Sequence, residues 1–395
     1  MFQNVVVVSA VRTAIGSFGG SLKDVETTKL GETVIREAIS RAGIDPAQVE
    51  ETILGCVGQY GLNGFLARIA SLNAGCSVHS TAQTVNRLCA SGLQAIVTGA
   101  TAIDHGDMQI VAAGGAESMS NFPYCSYQTR FGARMGDVQL KDALTAALAE
   151  PFTGTHIAVT AENIAAKYGF TREEVDAYAL ESQRRAAAAI QAGRFREEIV
   201  PIEVVQKREK RMFDTDEHPR NTSMEKLGAL KPLFKKDGIV TAGNASGIND
   251  AAAALILMSS ERAKELGCRP VARVVDYALA GVDPGYMGLG PIAATQKLFA
   301  QTGLNKDDIA VYELNEAFAS QAMACIRELE LDPARVNVNG SGISLGHPIG
   351  ATGAVISVKL LYELRRTGGR YGIASLCIGG GQGLSVLFEA AEGTP

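Results

Sequence analysis

A chain of 395 residues with 46% hydrophobic and 20% charged residues is long enough for two or three well-packed globular domains. Its net charge of −5 provides no strongly basic surface, so we expect neither a nucleic-acid partner nor a membrane partner. The seven cysteines include no CxxC pair, which argues against a disulfide framework or a zinc cluster and favours a reducing, cytoplasmic compartment and no bound metal.

The first part of the chain predicts strands that alternate with helices. Residues 5–10 are an apolar run, too short for a signal or a membrane span, and predict a buried strand. Further along, the spacing of apolar residues predicts a helix over 28–42, a strand over 52–57, a helix from Cys89 to about residue 105 and a strand over 108–115. This alternation favours an α/β fold with a parallel sheet covered by helices.

The region 116–246 breaks this alternation. It predicts two helices, over 157–168 and 171–192, followed by a stretch rich in charges of both signs, and we interpret it as an insertion lying on the sheet domain. The basic run KREKR, 207–211, is more typical of a solvated loop than of a phosphate site. Residues 246–259 predict a buried element that is either a helix or a strand.

The alternation resumes in the last third of the chain. It predicts strands over 271–277, 309–314 and 371–377 and helices over 291–302, 316–330 and 350–366. Two segments about 260 residues apart, one starting at Cys89 and one at Gly350, each run helix, turn, strand and paired glycines. This internal echo suggests two halves that share one topology.

Four segments concentrate the residues that could carry chemistry. They are NRLCASG around Cys89, ELNEAFASQ with Asn315 and Glu316, NVNGSGISLGHPIGATGA with His347, and SLCIGGGQG with Cys377. The small residues after Cys89 leave room for a substrate, and the predicted helix N-terminus there favours the thiolate form.

Taken in order, these motifs resemble the thiolase family, from VRTAIGSFGGSLKDV near the start to CIGGGQG near the end. The NRLC, AGVDP and NGSGISLGHPIGATGA segments are most similar to broad-specificity biosynthetic β-ketothiolases. The resemblance implies a five-layer αβαβα fold of two similar halves with an inserted loop domain, and a homodimer or homotetramer. The implied domains are an N-terminal half over 1–120 and 247–268, an inserted domain over 121–246 and a C-terminal half over 269–395.

The residue types fit the splitting and joining of a 3-ketoacyl chain, which needs a nucleophile and a base for the proton alpha to a thioester. A thiolate at Cys89 suits acyl transfer, His347 is the natural acceptor of its proton, and Cys377 can move the alpha proton. By resemblance, His347 and a water held by Asn315 form one oxyanion hole, and the backbone N–H groups of Cys89 and Gly379 form the other. Glu316 is expected to order hydrogen bonds around them.

The resemblance also implies acetyl-CoA, acyl-CoA and CoA as substrates, with no permanently bound cofactor. The expected binding residues are Leu148, His156, Ile157, Arg220, Ser246, Met287 and Phe318. Arg220 matches a position near the adenine, Ser246 a pantetheine contact, and Leu148 and Phe318 the walls.

Two positions depart from the family pattern. Ala90 stands where Gly often follows the nucleophile, and its methyl group is expected to narrow the space beside Cys89. Ile157, which is β-branched and stiff, stands where a flexible Met is common, and this predicts an altered acyl pocket.

The predicted reaction is the reversible condensation of acetyl-CoA with an acyl-CoA, giving a 3-ketoacyl-CoA and CoA through an acyl-cysteine. The alternatives are a degradative 3-ketoacyl-CoA thiolase of β-oxidation, a decarboxylating ketoacyl synthase and a non-catalytic binder of acyl-CoA or lipid. Asn315, where such a synthase carries a second histidine, and the presence of Cys377 favour a thiolase.

The remaining histidines and cysteines are expected to be structural. His79, His105 and His218 are interpreted as surface or turn residues, and Cys56, Cys76, Cys268 and Cys325 as small core residues. Cys125 precedes a flexible stretch, and we do not expect it at the pocket.

Overall fold

The computed structural model of the chain describes residues 1–206 and 208–391. Its strands are β1 (Val5–Thr13), β2 (Gly16–Ser17), β3 (Glu51–Gly55), β4 (Thr81–Val85), β5 (Ile110–Ser118), β6 (Tyr124–Cys125), β7 (Lys141–Asp142), β8 (Ile199–Val200), β9 (Ile202–Gln206), β10 (Glu209–Phe213), β11 (Asn249–Ser259), β12 (Ala272–Gly281), β13 (Ile309–Leu314), β14 (Tyr371–Ile378) and β15 (Gln382–Ala390). Its α-helices are α1 (Thr27–Ala42), α2 (Leu66–Ala74), α3 (Ser91–His105), α4 (Ala143–Ala147), α5 (Ala158–Tyr168), α6 (Arg172–Gln191), α7 (Met224–Gly228), α8 (Ser260–Glu265), α9 (Gly290–Thr302), α10 (Ala319–Glu328) and α11 (Thr352–Thr367).

The predicted strands and helices of both halves are present, with ends that differ by a few residues. The element left open over 246–259 is the strand β11, all of whose residues are buried. The helix predicted from 316 begins only at Ala319, so residues 315–318 form a loop between β13 and α10. Sequence analysis missed β15 and the hairpin of β9 and β10, which pair antiparallel.

The two halves share one sheet topology. The first half has the strand order β3-β5-β11-β1, and the second has β13-β14-β15-β12. In each half the first two strands are parallel, and the other two pairings are antiparallel. The predicted parallel sheet is therefore present only in part, because the apolar strands β11 and β15 run antiparallel to their neighbours.

Helices and sheets alternate in five layers. The helix α1 packs on β1, β5 and β11 and carries α2 beside it, while α9 packs on β12 and β15. Between the two half-sheets lie α3 and α11, which contact each other and strands of both halves. The internal echo in the sequence corresponds to this pair of central helices and the strands that follow them, β5 and β14.

The central layer brings the candidate residues to one place. Cys89 precedes α3, and His347 lies in the turn that precedes α11. Asn315 follows β13 and Cys377 is near the end of β14, and these two strands are parallel neighbours. The N-termini of two facing helices and the carboxyl ends of two adjacent parallel strands thus meet.

The region between β5 and β11 is tied to the first half by a buried ion cluster. The Arg12 guanidinium of β1 donates to Glu198 at 2.7 Å and to both carboxylate oxygens of Asp216 at 2.7 and 2.9 Å. All three side chains are buried, so removing one would leave an uncompensated charge. The predicted boundaries between the two halves and the inserted domain stay a prediction, and residues 392–395 of the last half lie outside the described part of the chain.

Candidate active site

A cavity of about 620 Å³ gathers most of the predicted site residues. The members that line it are Cys89, Leu148, His156, Ile157, Arg220, Ser246, Met287, Phe318, His347, Cys377 and Gly379. Asn315 is fully buried directly behind this lining, with its amide Nδ2 3.4 Å from Nε2 of His347. Every residue that the sequence proposed for the site is therefore at or immediately behind one cavity.

The turn before α3 fixes the position of Cys89. Leu88 has a φ of 47°, a left-handed conformation that costs a non-glycine residue about 1–3 kcal/mol. Its N–H donates to Oδ1 of Asn86 at 2.9 Å, and its carbonyl accepts from Oγ of Ser91 at 2.6 Å. The side chains of Asn86 and Ser91 thus hold the strained turn, and the turn fixes where the sulfur of Cys89 enters the cavity.

The half-buried Cys89 is a thiol in the free protein. Burial raises its pKa to about 11, although the backbone N–H groups of Gly379 and of Cys89 itself hydrogen-bond the sulfur and oppose this rise. The expected thiolate is therefore wrong for the free protein, because loss of water around the sulfur outweighs the hydrogen bonds from these N–H groups. The same two N–H groups converge beside the sulfur, where the carbonyl oxygen of an attached acyl group would lie.

Cys377 and Gly379 close the opposite wall. Burial raises the pKa of Cys377 well above its ordinary value, and the neighbouring Cys89 adds to this rise. Cys377 packs in an apolar cluster with Met287, Phe318 and Ile157. A Cβ on Gly379 would lie 3.3 Å from Cδ1 of Ile157, so the backbone approaches the cavity where a side chain has little room.

His347 is anchored on three sides. Its backbone N–H donates to Oδ1 of Asn249 at 2.9 Å, its Nδ1 is 2.6 Å from Oγ1 of Thr352, and its Nε2 faces Asn315. Burial lowers the pKa of the imidazole to about 4, so the ring is neutral at physiological pH. A neutral imidazole can accept a proton from a thiol only while bond formation at that thiol supplies the driving force.

The loop of Asn315 rests on a buried carboxylate. Glu316 accepts hydrogen bonds from Ser182 Oγ at 2.6 Å, Tyr178 Oη at 3.1 Å and Asn337 Nδ2 at 3.1 Å. Oδ1 of Asn315 has no hydrogen-bond partner within 1–206 and 208–391. A buried amide oxygen of this kind is suited to holding a water molecule or a ligand.

The other predicted binding residues form the mouth and walls of the cavity. The His156 ring stacks on Phe234 with centroids 4.3 Å apart, and its Nδ1 accepts from the N–H of Ala158 at 3.2 Å. The backbone N–H of Arg220 donates to Gln183 at 2.8 Å. Phe234 was not predicted, because it lies in a polar stretch with no motif.

Three expectations about individual residues need correction. His218 is buried and lines the cavity, where burial lowers its pKa to about 4, whereas His79 and His105 are exposed as expected. Ala90 is fully buried in the core and is not among the lining residues, so its methyl group does not narrow the cavity. Cys268 is half-buried rather than a core residue.

The other cysteines follow expectation: Cys56, Cys76 and Cys325 are buried, and Cys125 is not in the cavity lining. Of the basic run 207–211, Arg208, Glu209, Lys210 and Arg211 are exposed, and residue 207 lies outside the described residues. None of the four lines the cavity, so the run is solvated as expected, but Glu209, Lys210 and Arg211 belong to the strand β10 and not to a loop.

Sequence analysis missed Glu117, a buried carboxylate at the end of β5. It accepts from the N–H groups of Val57 at 2.9 Å, Gly58 at 3.1 Å and Gly350 at 2.8 Å. Burial raises the pKa of Glu117 to about 7 against the effect of these donors. The segment that follows His347 is thereby tied to the loop that follows β3, and the only local signal is a glutamate in an otherwise apolar strand.

Comparison with known proteins identifies one family along nearly the whole chain. Residues 5–261 match the family model described as Thiolase, N-terminal domain, and residues 268–390 match Thiolase, C-terminal domain. The beta-ketothiolase BktB of Cupriavidus necator is 52% identical over 98% of this chain and 100% of its own, and an acetyl-CoA acetyltransferase of Syntrophomonas wolfei is 50% identical over 99% and 100%.

Solved structures agree as well. The acetyl-CoA acetyltransferase of Bacillus anthracis superimposes with a TM-score of 0.97 at 47% identity and covers 99% of each chain. Human mitochondrial 3-ketoacyl-CoA thiolase in complex with CoA gives a TM-score of 0.95 at 44% identity, covering 99% of this chain and 98% of that one.

Proposed function

The chain belongs to the thiolase family and is an acyltransferase, and from this premise we propose that it condenses acetyl-CoA with an acyl-CoA through an acyl group carried on Cys89. The observation that supports this assignment is the convergence of two thiols and one imidazole, Cys89, Cys377 and His347, on one cavity. A nucleophile and two groups able to move protons are what the reaction requires.

In the first half-reaction, Sγ of Cys89 attacks the thioester carbonyl while its proton moves to Nε2 of His347. The N–H groups of Cys89 and Gly379 stabilise the oxyanion, since they already converge on the sulfur. When the bond to the CoA sulfur breaks, that sulfur takes the proton of Cys377. The acyl group is then on Cys89, and the cavity holds a Cys377 thiolate and a His347 imidazolium.

In the second half-reaction, the Cys377 thiolate removes a proton alpha to the carbonyl of acetyl-CoA. The imidazolium Nε2–H, with a water held at the free Oδ1 of Asn315, stabilises the enolate oxygen. The enolate carbon attacks the acyl group, and the departing sulfur of Cys89 recovers its proton from His347. Both thiols and the neutral imidazole are restored, so the protons balance over the cycle.

Coenzyme A and its thioesters fit the cavity as substrates. Its volume of about 620 Å³ is typical of a small-ligand site, and its lining is mainly apolar. We assign Arg220 to the adenine end, Ser246 and His156 to the pantetheine, and Met287 and Phe318 to the acyl group. Leu148 and Ile157 complete the wall.

The same cavity supports a second candidate, a degradative thiolase that cleaves longer 3-ketoacyl chains. The observation that favours it is the close superposition on the human mitochondrial 3-ketoacyl-CoA thiolase. Comparing kcat/KM for thiolysis of 3-ketoacyl-CoA substrates of increasing length separates the two. A maximum at acetoacetyl-CoA or the next homologue supports the biosynthetic assignment, and a maximum at long chains supports the degradative one.

We also propose a cytoplasmic homodimer or homotetramer that works without a metal. All seven cysteines are free, as suits a reducing compartment. Large apolar side chains are exposed between β6 and β7, Phe131 at 96% and Met135 at 94%, as expected of a surface that another subunit covers. Within 1–206 and 208–391, no helix is long and apolar enough to cross a membrane, and no cluster of metal-ligating side chains occurs.

Peptide mass spectrometry after incubation with acetyl-CoA tests the assignment. We expect an acetyl group on Cys89 and on none of the other six cysteines, together with thiolysis of acetoacetyl-CoA. Cys89→Ser is the matched control and should show neither. Condensation that requires malonyl-CoA would identify a ketoacyl synthase instead, and the absence of any adduct or turnover would indicate a binding protein.

A further inference from the structure

The hydroxyl group of Thr352 is the hydrogen-bond partner of Nδ1 of His347. Thr352 is the first residue of α11, five positions after His347, and only 2% of it is exposed. Its Oγ1 lies 2.6 Å from Nδ1 and 2.9 Å from the carbonyl oxygen of Pro348. His347 also lines the cavity, and its other ring nitrogen, Nε2, faces Asn315.

A hydroxyl group has one proton, so Oγ1 of Thr352 can donate to only one of these two partners and must accept from the other. When Oγ1 donates to the carbonyl of Pro348, the lone pairs of Oγ1 face the imidazole and accept a hydrogen bond from Nδ1–H. On the other side of the ring, the amide Nδ2 of Asn315 can only donate, which requires an unprotonated Nε2. Both contacts select the same neutral tautomer, with the proton on Nδ1 and the lone pair on Nε2, the ring nitrogen on the side of Asn315.

We propose that Thr352 is a positioning residue that holds His347 in the Nδ1–H tautomer throughout the reaction. The proposal depends on the role assigned above to His347. Nδ1–H donates to Oγ1 both when the ring is neutral and when Nε2 has received the proton of Cys89. Thr352 therefore keeps one hydrogen-bonding arrangement while His347 serves first as a base and then as an oxyanion donor.

The choice of a hydroxyl rather than a carboxylate has a consequence. A threonine oxygen orients the ring without adding negative charge, so Thr352 does not offset the burial that lowers the pKa of His347 to about 4. The imidazolium then returns its proton readily when the sulfur of Cys89 leaves. A carboxylate at this place would retain the proton on the ring.

The alternative is a purely structural threonine whose hydroxyl only donates to the carbonyl four residues earlier, as threonines in helices often do. Thr352→Val, which keeps the shape and removes the hydroxyl, and Thr352→Ser, which keeps the hydroxyl, separate the two. We expect Thr352→Val to slow single-turnover acetylation of Cys89 roughly 10–100-fold, the range typical when the partner that orients a metal-bound histidine is lost. Thr352→Ser should stay within about threefold of the wild-type enzyme, with KM unchanged in both.

Nitrogen-15 NMR of the histidine-labelled enzyme tests the tautomer directly and needs no Thr352 variant. We expect Nδ1 of His347 to be protonated and Nε2 unprotonated, with the signals assigned by their loss in His347→Asn. Thr352→Val should show a mixture of tautomers. A wild-type enzyme with the proton on Nε2, or a folded Thr352→Val with normal acetylation, would overturn the proposal. Normal acetylation in His347→Asn would instead refute the role of His347 itself.

Discussion

The sharpest consequence of the site geometry concerns Gly379, whose N–H is one of the two donors beside the sulfur of Cys89. An added Cβ would lie 3.3 Å from Cδ1 of Ile157 and 3.3 Å from Cδ1 of Leu88. The φ of Gly379 lies outside the left-handed region, unlike those of Gly380 and Gly381. Gly379→Ala therefore acts by crowding two methyl groups and not by straining the backbone.

The magnitude follows from these contacts. Carbon atoms prefer separations of about 3.5–4.0 Å, so either the two methyl groups or the N–H of residue 379 must move by a few tenths of an ångström. A complete oxyanion-hole donor contributes about 2.7–4 kcal/mol, and partial displacement should remove about 1–2 kcal/mol, a decrease in kcat of roughly 5–30-fold. Ile157→Val removes one of the two crowding atoms, so the double variant should recover about 0.5–1 kcal/mol of this loss.

The assay is the thiolysis of acetoacetyl-CoA by the wild-type enzyme, both single variants and the double variant. Gly380→Ala is the control. Gly380 has a φ of 80°, so the substitution strains the backbone, but the added Cβ meets no atom within 4 Å. It should lower stability by about 1 kcal/mol without a comparable loss of kcat. Full activity in Gly379→Ala, or strictly additive effects of Gly379→Ala and Ile157→Val, would show that crowding at residue 379 does not displace the N–H donor.

Three further predictions follow from single contacts. Ile157→Met should change the ratio of kcat/KM between acetoacetyl-CoA and longer 3-ketoacyl-CoA substrates, since residue 157 lines the cavity beside Cys377; an unchanged ratio would contradict this. Because burial raises the pKa of Cys89 to about 11, alkylation of the free enzyme should accelerate about tenfold per pH unit from pH 7 to 9, and a plateau below pH 8 would indicate a thiolate already formed. Lys359→Met should lower the free energy of unfolding by about 3–5 kcal/mol, because it leaves Glu313 buried without its partner at 2.7 Å. Since burial raises the pKa of Glu313 to about 7, above its unfolded value, the loss in urea titrations should be larger at pH 8 than at pH 6.

The positions of the main site residues could be predicted from the sequence because local patterns mark them. Cys89, Asn315, His347 and Cys377 each stand where a strand ends or a helix begins, among small residues that let a ligand approach. Two similar halves then bring such ends together. The echo between the segments at Cys89 and Gly350 anticipated the two central helices.

The direction of the strands could not be predicted. The eleven residues of β11 are all buried, and a strand covered on both faces gives the same apolar run whether it is parallel or antiparallel. The protonation state expected for Cys89 was wrong for a related reason. A helix N-terminus is a local feature that the sequence displays, whereas the burial that raises the pKa of Cys89 depends on how distant segments of the chain pack around it.

Contacts between residues far apart in the chain also could not be predicted from the sequence. Glu117 binds Gly350, which is 233 positions away, and no spacing rule connects the two. His218 has no motif around it, and only the fold places it in the cavity wall. Thr352 lies inside a recognised motif, but its role depends on a side-chain contact to Nδ1 that the letters do not specify.

We infer that the two thiols in one cavity have different tasks, with Cys89 carrying the acyl group and Cys377 moving the alpha proton. Acetylation of Cys89 and thiolysis of acetoacetyl-CoA, measured side by side in Cys377→Ser, test this most directly. Acetylation should persist while thiolysis falls by about 100-fold or more, as expected when a general acid–base group is lost. Equal loss of both, or thiolysis at the wild-type rate, would contradict it.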